Sequence, residues 1–338
     1  MGQIRRFSWF LFGRYGYAAF ATLVFVVLLV VNAVIDPSLL SGTGMLDAFS
    51  TLAPLALLAL AVTPSVLSGR GGIDLSLGPF AGFCTVLIGT YLNTGVLGQS
   101  YVVVPIVLGL GVMLGLVNGL LVTVGRLQPI VVTLGTYLIF TGLAEHYAPG
   151  SGGTLPGWLD AISGSWSDVV IMLVVVGAWL ALARTNYFRL LFAVGRDDRT
   201  AYASGVSVTG VRTTAYVIGG LFGGVAGLLL ASLIRGAEAT VGPSYTLTSI
   251  AAVALGGTSL AGGAGGMLGS VMGALDIFFI ENLLTLANVP VFSLDLAYGA
   301  ILVVAVVINS AVGRLSALSA SGTMRSTSSS RAELGADL

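Results

Sequence analysis

Apolar residues fill this chain in runs long enough to cross a bilayer, and polar residues are confined to short breaks between them. The first run covers roughly 17 to 35, close to the ~20 residues that a hydrocarbon core requires, and Asp36-Pro37 ends it. A polar stretch from 38 to 50 leads to a second run, 51 to 67, interrupted by Pro54 and Pro64. Prolines remove backbone donors, so this run predicts a bent or discontinuous helix. Further runs follow at 79 to 92, 101 to 124, Pro129 to Glu145, 168 to 183, 213 to 232, 246 to 255, 264 to 286 and 291 to 311. The pattern predicts an all-α polytopic membrane protein of about ten transmembrane helices, some of them broken at glycine-rich motifs.

Composition agrees. Of 338 residues, 56% are hydrophobic and only 8% charged, where a soluble domain carries about 25% charged residues. The 48 glycines suit membrane helices that approach closely or break. On the fourth apolar run, Gly109, Gly111, Gly115 and Gly119 predict a close-packing face. A single cysteine, Cys84, excludes a disulfide within the chain and reads as a small buried hydrophobe. A single histidine, His146, supplies no metal-ligand set. Every one of the 14 basic residues is arginine. Without a lysine there is no phosphate-binding loop of the Walker A type, so the chain has no ATPase site of its own. The first run is long and lacks a small-residue cleavage site, so it reads as an anchor and not a cleavable signal.

Charge then orients the spans. With the N-terminus inside, the loops 68–74, 124–128, 184–212 and 257–263 and both termini fall on one side, and Arg235 is the one arginine left on the other. Arginine-rich loops mark the cytoplasm. The domain reading is a cytoplasmic lead at 1–16, a transmembrane domain at 17–311 and a tail at 312–338, rich in Ser and Ala, that lacks the apolar residues to pack. The Gly-, Ser- and Trp-containing loop 147–167 would rest on the outer surface, with Trp158 and Trp166 at the interface.

The stretch Gly69 to Pro79 halts the apolar pattern and surrounds the pair Arg70 and Asp74 with glycines. An ionisable side chain at a membrane boundary faces protein or water and is a functional candidate. Two readings stand: Asp74 caps the next helix, or a broken helix lines a pathway. The pattern Gly-Gly-x-polar-Leu-small at Gly71–Ser76 returns at Gly256–Ala261, and such paired interruptions suggest a two-fold internal repeat around a transport route. A second informative stretch is 192–206. Asp197 and Asp198 precede a short helix-forming run and Gly205 closes it. So short a helix must dock on something: either the protein's own surface or a partner's groove, which Ala201 and Ala203 would let approach closely.

At these motifs the chain resembles a known family, the inner-membrane permease subunits of ABC importers for monosaccharides of the ribose, xylose, arabinose and galactofuranose type, related to branched-chain amino-acid permeases. The resemblance is carried by Gly71–Gly78, Pro129–Thr136, Gly195–Val206 and Ile250–Gly269, in that order, and spans about 50 to 311. The family joins Ser directly to Gly-Gly-Ile-Asp, whereas Gly69-Arg70 follow Ser68 here, so Arg70 would pair with Asp74 or line the cytoplasmic exit. Arg196 stands where the family has a second glycine. The resemblance implies a multi-pass permease of the bacterial cytoplasmic membrane with no cofactor of its own, ATP and Mg being bound by a partner ATPase. The implied partners are that cytoplasmic ATPase, a periplasmic or lipid-anchored sugar-binding protein and a second permease subunit, identical or paralogous, with no nucleic acid. The segment Gly195, Arg196, Asp197, Asp198, Thr200, Ala201, Ala203 and Gly205 would couple to the ATPase. Sugars are neutral and hydroxyl-rich, so pathway candidates are hydrogen-bonding groups: Asp74, Ser76, Asn118, Thr133, Thr136, Tyr137, Thr258, Ser259 and Asn282. Asp276 and Glu281 read as interfacial or subunit-contact charges. The rival readings are a branched-chain amino-acid permease and an ion-coupled secondary transporter using Asp74 and Asp276.

Overall fold

The computed structural model describes residues 18–92, 101–148, 152–160 and 166–290, with a few single positions between 293 and 303. The expected lead at 1–16, most of the run at 291–311 and the tail at 312–338 lie outside the described residues. The described residues form helices and connecting turns, with one isolated antiparallel bridge between Gly152 and Ala237. In chain order the helices are α1 (Ala19–Ile35), α2 (Gly42–Leu67), α3 (Leu77–Val86), α4 (Val103–Thr123) and α5 (Pro129–Tyr147). A single turn, α6 (Gly157–Asp160), precedes α7 (Trp166–Ala183), α8 (Asn186–Arg196) and α9 (Asp198–Ala203). The described chain ends with α10 (Val208–Ile234), α11 (Val241–Leu255) and α12 (Met267–Leu286). Each predicted apolar run up to residue 286 coincides with a helix. By length and composition, α2, α4, α7, α10 and α12 are long and apolar enough to cross a membrane.

Of the two forms expected for the second span, bent or discontinuous, the discontinuous one is overturned. The span is one continuous helix that starts at Gly42 and runs through both Pro54 and Pro64. The hydroxyls beside Pro64 bond back to the helix, Thr63 Oγ1 to the Ala59 carbonyl at 2.6 Å and Ser65 Oγ to that of Val62 at 2.9 Å. Such returns let a membrane helix tolerate an interior proline. Its break comes only at the glycines after Ser68.

α10 is the central pillar, packing on α2, α3 and α4, while α12 packs on α11, α1 and α2. The α4–α10 contact is glycine to backbone: a Cβ on Gly111 or on Gly220 would strike the carbonyl oxygen of the other, and one on Gly115 would strike that of Tyr216. Gly119 meets the Thr213 backbone in the same way. Positions 111, 115 and 119 recur every four residues and so share a face. Gly109 is the exception to the predicted face, since a Cβ there would meet open space.

The glycine interruptions leave two short apolar helices. α11 has 15 residues, about 22 Å at 1.5 Å per residue, less than the ~30 Å of a bilayer core. α3 is continued by a wider turn over Leu87–Leu92. The two pack directly, with Gly78 and Gly82 against Gly242. At one end of the bundle Gly152 and Ala237 exchange backbone bonds of 2.9 and 2.6 Å, and the Thr154 amide donates to the Gly89 carbonyl at 3.1 Å. Arg235, the C-cap of α10, lies at this end, and Arg212 lies near the start of the same 27-residue helix, at the other.

Candidate functional site

The arginine-rich end holds the interruption after α2. Gly69, Arg70 and Gly71 all adopt left-handed backbone, with φ of 81°, 55° and 67°. Three such residues in succession turn the chain sharply, and two of them are glycines, which enter this region without a Cβ penalty. Asp74 follows, fully buried. Its Oδ1 accepts from the Ser76 amide at 3.0 Å and the Ser76 hydroxyl at 2.6 Å, so one carboxylate oxygen organises the entry to α3. Oδ2 has no hydrogen-bond partner among the described residues. Asp74 thus fixes Ser76, the N-cap of α3, and does not itself bond a first-turn amide of that helix.

From Ser76 a polar network reaches α4 and α5. Asn118 Nδ2 donates to Ser76 Oγ at 3.0 Å, and Thr136 Oγ1 donates to Asn118 Oδ1 at 3.1 Å. Thr133 Oγ1 reaches the Ile73 carbonyl at 3.2 Å. Asp74, Ser76, Asn118, Thr133 and Thr136 thus meet in one place, drawn from the glycine loop and two helices. Tyr216 of α10 is also fully buried, and its hydroxyl has no partner among the described residues. That hydroxyl lies within electrostatic reach of Asp74 and Arg212. Two unpartnered polar atoms in a buried region form a place where a further hydroxyl or water has something to bond.

The remaining pathway candidates fall elsewhere. Tyr137 is half-buried on α5 and stands outside the network. Thr258 Oγ1 accepts from the Gly266 amide at 3.2 Å and lies 3.5 Å from Ser270 Oγ, and the Ser259 amide donates to the Ala264 carbonyl at 3.0 Å. These residues shape the second glycine loop. Asn282 donates to Asn32 Oδ1 at 2.9 Å, joining α12 to α1. Asp276 is fully buried, and neither carboxylate oxygen has a hydrogen-bond partner among the described residues. This corrects its reading as an interfacial charge.

The segment 192–206 forms two helices docked on this end. Asp197 caps α9: Oδ1 accepts from the Arg199 and Thr200 amides at 3.0 and 3.2 Å, and Oδ2 from the Thr200 hydroxyl at 2.7 Å. The Thr200 hydroxyl bond, aided by those amides and the Arg199 charge, holds this exposed carboxyl below the usual carboxylate range. At the other end the Gly205 amide donates to Tyr202 and the Val206 amide to Ala201, at 2.9 and 3.1 Å, with Gly205 at φ 83°. Both bonds of a Schellman closure are present. The expectation that Ala201 faces a partner is corrected: it is buried against Leu67, Leu191, Val194 and Val211. Ala203 is exposed, as are Asp197, Arg199, Thr200 and Tyr202. Tyr202, 74% exposed, is the large apolar group this helix presents outward. Sequence reasoning passed over it and Arg199, although an aromatic between two alanines on a docked helix stands one turn beyond Asp198.

Three backbone segments converge beneath α8 and α9. A Cβ on Gly69 would lie 2.8 Å from the Gly195 carbonyl oxygen, one on Gly262 would strike Gly69, and one on Gly195 would strike the Leu67 carbonyl. The Gly263 amide donates to the Leu67 carbonyl at 3.1 Å, and Arg196 Nε to the Gly263 carbonyl at 3.1 Å. Both glycine loops therefore touch the docked segment without intervening side chains. Charge adds a second connection. Asp198 Oδ2 pairs with Arg70 Nε at 2.7 Å and with Arg212 Nη1 at 3.2 Å, while Arg212 Nε donates to the Ser68 carbonyl at 3.2 Å.

Residues 44–310 match the family model described as branched-chain amino acid transport system / permease component. The ribose import permease protein RbsC of Bacillus subtilis (strain 168) is 33% identical over 294 residues, spanning 84% of this chain and 89% of that protein. The autoinducer 2 import system permease protein LsrD of Escherichia coli (strain K12) is 28% identical over 307 residues, 87% and 92% of the two chains. No solved structure matches. The match of one family model across most of the chain, together with the similarity to RbsC over nearly its whole length, identifies the protein as a member of the family of permease components of branched-chain amino acid transport systems.

Proposed function

We propose that this chain is the membrane-spanning permease subunit of an ATP-driven importer that carries a monosaccharide delivered by a substrate-binding protein. The sugar reading is supported by the ribose import permease among its relatives and by the hydroxyl and amide groups gathered around Asp74. These groups offer donors and acceptors to a neutral, hydroxyl-rich substrate. The proposed topology is ten spans with both termini cytoplasmic, in a bacterial inner membrane. A second permease subunit, identical or paralogous, completes the pathway. A separate cytoplasmic ATPase binds ATP and Mg and docks on α9 through Tyr202, Arg199 and Ala203.

The observation that carries the mechanism is the junction of Gly69, Gly195 and Gly262. A displacement of α8–α9 by the ATPase presses directly on the backbone of both glycine loops, because no flexible side chain intervenes to absorb it. The first loop holds Asp74 and the entry to α3, so movement there opens or closes the inner end of the pathway. Asp198 holds the resting arrangement through Arg212 and Arg70.

The test is co-reconstitution with the cognate ATPase and binding protein in liposomes. Uptake of ribose or another monosaccharide that requires internal ATP and persists when ion gradients are collapsed is expected. Uptake that follows the ion gradient and ignores ATP overturns the reading, as does selective uptake of branched-chain amino acids. Tyr202→Asp, on the exposed face of α9, is expected to abolish substrate-stimulated ATP hydrolysis while the permease stays folded.

A further inference from the structure

We propose that the cavity at the arginine-rich end of the bundle binds a phosphate group, presented by an anionic lipid headgroup or by a soluble phosphate monoester. The cavity, about 610 Å³, lies between the loop after α2, the α4–α5 turn, α9 and the foot of α10. That volume suits a small ligand. Arg70, Arg126, Arg199 and Arg212 line it, with Asp198 as the one acidic residue on its wall.

Asp198 is already shared between Arg70 and Arg212. Arg126 and Arg199 make no salt bridge among the described residues, and although the Asp197 carboxylate offsets part of the Arg199 charge, the four arginines leave the concave surface with an excess of positive charge that draws an entering counter-ion. Guanidinium groups grip phosphate through paired N–H donors, which a scattered ammonium charge does not. Two further features point the same way. The N-terminus of the 19-residue α5 lies on the wall at Gln128 and Pro129, and Gln128 supplies no side-chain cap. Pro129 has no N–H and the Val131 amide already donates to the Gln128 carbonyl at 3.1 Å, so what this helix start contributes is mainly its positive dipole end. Tyr216, fully buried, also lines the cavity, and its hydroxyl lacks a partner among the described residues. A phosphate oxygen supplies the acceptor that this hydroxyl lacks. Bound there, the phosphate bridges Arg199 on α9 to Arg126 on the α4–α5 turn. Arg199 and Tyr202 line this cavity and also belong to the proposed ATPase contact, so the proposal is made for the permease alone and is tested without the ATPase.

The experiment uses the purified full-length chain in a neutral detergent. One arm adds phosphatidylglycerol or phosphatidylcholine and counts retained lipid by native mass spectrometry. The other titrates inorganic phosphate against chloride at matched ionic strength and follows Tm. The wild type is expected to retain phosphatidylglycerol selectively, which assigns a lipid source, or to show saturable stabilisation by phosphate, which assigns a soluble one. The Arg126→Gln/Arg199→Gln variant is expected to weaken the effect at least about tenfold, the loss of one charge-assisted bond. Arg184→Gln/Arg189→Gln, at exposed arginines outside the cavity, is expected to bind as wild type. Arg126→Gly, which suits the left-handed backbone at φ 55°, serves as a second variant should the double substitution not fold. Absence of saturation with both probes overturns the proposal. So does equal loss in the control pair.

Discussion

Arg70 donates to Asp198 at 2.7 Å and not to Asp74, four residues along its own loop. The buried carboxylate is left to Ser76, while the arginine reaches out to the docked helix. Distance alone would rank this contact above Arg212–Asp198 at 3.2 Å, but exposure reverses the order. The Arg70 side chain is 63% exposed and that of Arg212 only 10%. An exposed pair contributes about 0–1 kcal/mol, whereas removing one partner of a buried pair costs about 3 kcal/mol or more, because the other charge is left uncompensated. Arg70→Gln is therefore expected to leave Tm nearly unchanged, and Asp198→Ala to lower it by several degrees. Measuring both in detergent decides the ranking; an equal loss in the two variants contradicts it.

Asp74→Asn retains an oxygen that can accept from both Ser76 groups, so the entry to α3 persists and the protein stays folded. What changes is the unpartnered Oδ2, which becomes a donor. Substrate uptake is expected to fall by about tenfold, the effect of one missing hydrogen bond to a charged acceptor, with expression and Tm near wild type. Uptake equal to wild type would confine Asp74 to the structural role of its Oδ1.

The order of apolar runs was legible because a bilayer demands about 20 apolar residues per helix, and each run through 286 is a helix. The caps of α9 were legible for the same local reason: Asp and Gly have strong positional meaning at helix ends. What the sequence could not supply was distance. That Ser76, Asn118 and Thr136 meet, while Asn282 serves α1, depends on which helices neighbour each other. The direction in which a two-turn helix faces was equally hidden, since Ala201 and Ala203 are the same residue type with opposite exposure. Tyr202 is neither charged nor small, so no capping or packing pattern marks it, and Asp276 reads as an interfacial charge because a lone carboxylate in an apolar helix carries no local sign of its burial.

The Asp197 carboxyl stays ionised across the working pH range, so its cap on α9 does not change with pH there. Its value in the folded protein is depressed below the ordinary value of about 3.9. The cap is thus fully present above that ordinary value and is lost only as pH falls through the lower folded one. Substrate-stimulated hydrolysis measured from pH 5.5 to 8 is expected to have the same profile in wild type and Asp197→Asn, since Asn also caps well. A wild-type decline in this window that Asp197→Asn removes would contradict the assignment.

Two glycines two positions apart on α4 separate packing from propensity. Gly109 and Gly111 lie on the same helix, yet a Cβ at Gly109 meets nothing within 4 Å while one at Gly111 collides with the Gly220 carbonyl. In a helix interior, alanine is favoured over glycine by roughly 0.5–1 kcal/mol when the site has room. Where the neighbouring backbone must move, the overpacking penalty of about 1–3 kcal/mol outweighs that gain. Gly109→Ala is therefore expected to raise Tm slightly, and Gly111→Ala to lower it and to loosen α4 from α10. Because Gly115, Gly119 and Gly220 share that contact, Gly111→Ala is also expected to disturb Asn118 and hence to reduce uptake, while Gly109→Ala leaves uptake intact. Thermal unfolding and transport assays on the two variants check this, and a stabilising Gly111→Ala would show that the helices are free to separate without loss.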